Sequence, residues 1–139
     1  MKSKLAMKMH YGLLIAATLL FVSGHAAAAD LGPRSSSAAG VTVKVTPKDV
    51  SPQAVVWQFT VAFDTHSQDL RDDLLKIAAL VDAQGGRHAP LAWEGAPPGG
   101  HHRAGVLQFK GLGAQADALE LQILRPGEQA PRVFRWKLN

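Results

Sequence analysis

An all-β domain of about seven antiparallel strands is what the sequence predicts, on three observations. Trp57, Phe59, Val61 and Phe63 alternate strictly with Gln58, Thr60, Ala62 and Asp64, and Phe134, Trp136 and Leu138 alternate with Arg135 and Lys137. That period of two is the signature of a strand with one face buried. Turn residues recur between such segments, as in Gln84-Gly85-Gly86 and Arg125-Pro126-Gly127-Glu128. Helical spacing occurs once, over Ser67–Ala83, where alternation fits equally well.

Taken in order, Met1–Ala29 reads as a cleaved export signal. It has Lys2, Lys4 and Lys8, a 12-residue mostly apolar run at Tyr11–Val22, and small residues at Ala27 and Ala29 that place the cut before Asp30. A cut after Gly24, exposing His25, is the competing site. The apolar run is shorter than the ~20 residues a membrane-spanning helix needs. Asp30–Gly40 (DLGPRSSSAAG) has no periodicity and is expected to be a disordered leader. The β-domain is expected over Val41–Asn139. Val41–Thr46 alternates and is broken at Pro47 and again at Ser51-Pro52. Trp57–Asp64 is the strongest strand. For the ambiguous segment, a turn or single helical turn is expected at Gln68–Asp73 and a strand near Leu74–Asp82. Further strands are expected at His88–Trp93, Val106–Lys110, Leu119–Ile123 and Val133–Leu138, with a Pro/Gly-rich loop at Glu94–His102. Short strands at this spacing suggest an immunoglobulin-like β-sandwich, in architecture only, because the paired cysteines of antibody domains are missing. The expected core is Val43, Trp57, Phe59, Val61, Phe63, Ile77, Leu107, Phe109, Leu121, Ile123, Phe134 and Trp136.

Composition narrows the chemistry. The chain has 139 residues and no cysteine, which excludes disulfides, thiolate catalysis, iron–sulfur clusters and Cys-ligated zinc, and leaves no lipoprotein cysteine to carry an anchor. All three methionines and the single tyrosine lie in the export signal. Removing that signal takes three of 15 basic residues and none of the 11 acidic ones, so the mature chain has a net charge of +1. Neither a nucleic-acid partner nor a membrane span after processing is expected; the partner expected is an envelope protein, in the periplasm or outside the cell.

Polar chemistry concentrates in two segments. One is Asp64-Thr65-His66-Ser67 with Asp69 and Leu70. The other is Pro90–Arg103, containing Trp93-Glu94-Gly95 and Pro97-Pro98-Gly99-Gly100-His101-His102-Arg103. With Arg132, Phe134 and Trp136, these segments resemble a group of small exported prokaryotic proteins that share a T-H-S-x-D-L, P-L-x-W-x-G-x-P-P-G-G-H-H-R and R-x-F-x-W pattern. The resemblance spans most of the mature chain. It implies an exported β-domain and transfers no mechanism, because no activity is established for that group.

If the two segments meet at one end of the sandwich, His66, His101 and His102 with Asp64 or Asp69 would suit copper or zinc, since imidazole and carboxylate ligate both. Adjacent histidines on an extended chain point to opposite sides, so one of the pair would join His66. The plainer expectation is that the imidazoles and Arg103 tie the loop to Asp64, Asp69 or Glu94. Trp93 and Arg103 are the candidates for contact with a partner. Asp64, His66 and Ser67 are the side chains of a hydrolase triad, but neighbours on one strand end cannot form that relay, so no enzyme is expected. The acidic run Asp64, Asp69, Asp72, Asp73 lacks calcium-loop spacing. The sequence therefore points to a non-catalytic exported binding module, for a metal or a protein, or else to an accessory structural domain of an envelope assembly whose histidines only stiffen loops.

Overall fold

Val41, Val43 and Val45 sink to one side of their strand while Lys44 stays in water, and the same parity sorts the rest of the chain into two sheets. The computed structural model describes residues 29–114 and 116–138. All of the expected export signal except Ala29 lies outside the described residues. The strands are β1 (Arg34–Ala38), β2 (Val41–Asp49), β3 (Val56–Thr65), β4 (Ala78–Val81), β5 (Arg87–His88), β6 (Ala92–Gly95), β7 (His102–Lys110), β8 (Ala118–Ile123) and β9 (Arg132–Lys137). A single helical turn, α1 (Leu74–Ile77), precedes β4. One sheet runs β1-β2-β3-β7-β6 and the other β5-β4-β8-β9, with every pairing antiparallel.

The two sheets share one core. Val43, Val45, Trp57, Phe59, Val61, Phe63, Leu107 and Phe109 from the first sheet meet Leu80, Leu119, Leu121, Ile123, Phe134 and Trp136 from the second. Phe59 packs edge-on against Phe109, with ring centres 5.8 Å apart, and tilted against Trp136 at 6.1 Å. Eleven of the twelve expected core residues are buried; Ile77 is half-buried and packs against the cluster. Leu70 and Leu74 add a floor at the end where β3 leaves the sheet.

Several boundaries differ from expectation. The leader expected to be disordered over Asp30–Gly40 contains β1, which pairs with β2 from Arg34↔Val45 to Ala38↔Val41. Pro47 does not end β2; it sits where the register shifts between Pro47 and Asp49, the irregular position a strand proline tolerates. The helical turn lies at Leu74–Ile77, directly after the expected Gln68–Asp73 and inside the stretch expected as strand, and Asp73 caps it by accepting the Leu75 N–H. The strand expected over His88–Trp93 is two strands, β5 and β6, in different sheets. Finally, β7 begins at His102, so His102 and Arg103 belong to a strand and not to the Pro/Gly loop.

Candidate functional site

The Thr65–Leu70 and Gly99–Arg103 segments meet because β3 and β7 are neighbours in register. Asp64 lies opposite His102, and the Thr65 N–H continues the ladder to the His101 carbonyl at 2.9 Å. Beyond that point the chain after β3 folds over the loop. Leu70 donates its N–H to the Gly100 carbonyl (2.9 Å) and accepts the Gly99 N–H (2.7 Å), while its side chain is fully buried. Gly99 and Gly100 have φ of +119° and +78°, a backbone state that side chains with a Cβ rarely adopt. Asp69 completes the clasp by accepting the Gly100 N–H at 2.6 Å and Arg71 Nε at 2.5 Å. The Gly100 amide first, then Arg71, holds the Asp69 carboxyl below its usual range.

The imidazoles divide according to strand parity. His102 points outward, with Nδ1 2.5 Å from Asp64 Oδ1, and both side chains are well exposed. His101 and His66 are exposed and make no side-chain hydrogen bond among the described residues. Asp69 feels the His101 imidazole electrostatically. So the structure brings Asp64 to His102 and Asp69 to the loop backbone. Among the described residues, no three His, Asp or Glu side chains are placed to hold a metal ion. The acidic run is dispersed: Asp72 is buried against Arg125, whose Nη2 is 3.1 Å from Asp72 Oδ2, and Asp73 caps α1.

Arg103 points inward and is 3% exposed. Its guanidinium lies 5.5 Å from the centre of the Trp93 ring and donates to the carbonyls of Ala96 (3.1 Å) and Asp72 (2.5 Å). The loop is thus tied by Arg103, as the plainer expectation held, but to backbone carbonyls and not to Asp64, Asp69 or Glu94. Trp93 Nε1 also donates to the Ala96 carbonyl, at 3.1 Å. Its ring covers a cross-strand glycine pair: a Cβ on Gly95 would fall 2.5 Å from the Gly105 Cα and 2.9 Å from the indole, and one on Gly105 would fare no better. An aromatic ring laid over paired strand glycines replaces the packing they lack. A cleft of about 340 Å³ opens beside this cluster, lined by Asp73, Leu74, Leu75, Trp93, Pro98 and Arg103 among others.

A buried polar relay, which the sequence reading did not anticipate, continues across this end of the molecule. Arg125 donates to Asp72, Arg132 grips Glu128, and Arg132 also donates to the carbonyls of Ser36, Ala38 and Val41. The Arg132 hydrogen bond is the main cause of a lowered Glu128 carboxyl pKa. A sequence signal for this relay did exist: Arg132 occupies the inward parity of Phe134 and Trp136, where a charge requires partners. No family model, curated protein or solved structure matches the chain. No helix among the described residues is long and apolar enough to cross a membrane.

Proposed function

We propose that this chain is a non-catalytic binding module, an immunoglobulin-like sandwich delivered to the periplasm or beyond by a cleaved signal, and that it engages an envelope protein through the end carrying the His66 turn and the Trp93–Arg103 loop. The observation that carries this reading is the internal anchoring of the loop. Arg103, Trp93, Asp69 and the Leu70 backbone bind its inner side, while Pro97, Pro98, His101 and His102 stay exposed. A loop already ordered avoids much of the entropy cost of association. In this reading Arg103 acts as a strut and Trp93 supplies the platform. The test is a photo-crosslinking residue placed at Pro98 in exporting cells, with Lys44 on the outer face of β2 as control. A discrete adduct at Pro98 alone supports the module; equal adducts at both positions, or none, overturn it.

A metal reading is favoured by one specific contact. Asp64 holds Nδ1 of His102 and leaves Nε2 facing solvent, the arrangement in which a carboxylate orients a ligating imidazole. In this reading copper or zinc binds His102, with His66, His101 and Asp69 as the candidates for further ligands. Calorimetry with Cu(II) and Zn(II) on the exported protein, on His66→Ala and on the His101→Ala/His102→Ala double variant decides it. Equal weak binding by all three leaves the histidines as loop struts of an accessory structural domain.

A further inference from the structure

The four sheet edges are not alike. On β9 the Arg135 carbonyl accepts Arg34 Nε at 3.3 Å, and β1 offers an incoming strand only serine and alanine side chains beyond Arg34. β5 is only two residues long. β6 is different. The bond from Thr65 N–H to the His101 carbonyl sets the parity of β7, so its odd-numbered residues bond to β3 and its even-numbered ones to β6. The bond from Ala96 N–H to the Ala104 carbonyl agrees. In the register Ala92↔Gln108 and Glu94↔Val106, that parity directs the polar groups of Ala92 and Glu94 to β7 and turns those of Trp93 and Gly95 to the outer edge. No described strand lies there.

We propose that β6 accepts an extended strand from the partner protein, and that this strand alternates apolar with cationic side chains. The inference rests on the binding-module reading and names the kind of partner that reading leaves open. Residues directly opposite across an antiparallel pair share a face. Those facing Trp93 and Gly95 lie on the Trp93 side, beside the cleft lined by Leu74, Leu75 and Pro98, and suit aliphatic groups. The residue facing Glu94 lies on the outer face. Glu94 is exposed and has no ion pair among the described residues, so a Lys or Arg opposite it is favoured. The same carboxylate argues against a second copy of this chain: the self-pairing that sets Trp93 against Gly95 sets Glu94 against Glu94, and like charges directly opposite are unfavourable.

The test uses the exported protein with two end-capped peptides, one of alternating valine and lysine and one of alternating valine and glutamate. Amide hydrogen exchange and affinity are measured on the wild type and on Glu94→Lys. Slowed exchange at Trp93 and Gly95 with the lysine peptide is expected, with an affinity preference of about threefold or more that Glu94→Lys inverts. Unchanged exchange at these two amides, or equal binding of both peptides by both proteins, overturns the proposal. Protection confined to Gly99–His102 overturns the edge while keeping the loop as the binding surface. Dimerisation without peptide that slows the same two amides assigns the edge to a second copy and overturns the partner strand.

Discussion

At the scale of single residues, Arg103 and the glycines beneath Trp93 explain why the motif-rich loop holds one shape. Truncating Arg103 to Ala leaves the buried Asp72 carbonyl without its donor, takes one of two donors from the Ala96 carbonyl and removes the group stacked on Trp93. The expected loss is about 2–4 kcal/mol, read from urea unfolding, against no more than about 0.5 kcal/mol for His101→Ala on the exposed side. Gly95→Ala and Gly105→Ala force a methyl into a space already filled by backbone and indole, at a cost of about 1–3 kcal/mol. His88 lies outside both polar segments and has a partner of its own. Its Nε2 is 2.8 Å from Asp82 Oδ2, and Asp82 also accepts the Gln84 and Gly86 N–H groups that shape the turn before β5. His88 first, then those amides, lowers the Asp82 carboxyl. His88→Ala should therefore raise the Asp82 midpoint in an NMR titration; an unmoved midpoint would deny the contact any weight in solution.

At the scale of elements, β1 depends on a residue far away in the chain. Its Ser/Ala sequence has little to bury, and its order comes from the β2 ladder and from Arg132, which reaches the carbonyls of Ser36 and Ala38. Arg132→Met should release β1, seen as faster amide exchange over Ser35–Ala38 with the β3 and β7 amides little changed. Acid should act on the same joint. The Glu128 carboxyl lies below its usual value chiefly because Arg132 hydrogen-bonds the charged form. A group depressed on folding stabilises above its unfolded value, and that contribution is lost as pH falls through the lowered one. Stability should thus decline below the ordinary glutamate range, and Glu128→Gln should flatten that decline in denaturation midpoints measured against pH.

At the scale of the whole molecule, stability rests on two sheets sharing one aromatic and aliphatic core. Phe59 touches Phe109 within its own sheet and Trp136 across the gap, so Phe59→Ala removes contacts on both sides. A loss of about 3–5 kcal/mol is expected, while Thr60→Ala, one residue on and facing water, should change little. A β-dominated circular-dichroism spectrum is expected beside it, since α1 is four residues long. The core is also where the protein resists change, whereas the loop end combines a rigid inner side with an exposed outer one. Binding surfaces are commonly built in this way, with variable loops carried on a stable scaffold.

Alternation alone was enough to identify β3, β8 and β9, most of the core, and the two polar segments, because strand parity is a local property written into consecutive residues. The absence of cysteine likewise limited the chemistry without any structure. Where each strand pairs was decided only in three dimensions. Nothing local in DLGPRSSSAAG announces a strand; β1 exists because β2 offers a free ladder and Arg132 braces the Ser36 and Ala38 carbonyls. The stretch around His88–Trp93 reads as one strand but is divided between sheets, since an edge is defined by its neighbours and not by its own sequence. His102 and Arg103 were legible as a polar pair, yet their opposite fates followed from β7 starting at His102, which sends one imidazole out to Asp64 and the next guanidinium in beneath Trp93. Parity can be read from a sequence, but the origin from which it is counted is set by long-range hydrogen bonds, and those form only when the sheets assemble.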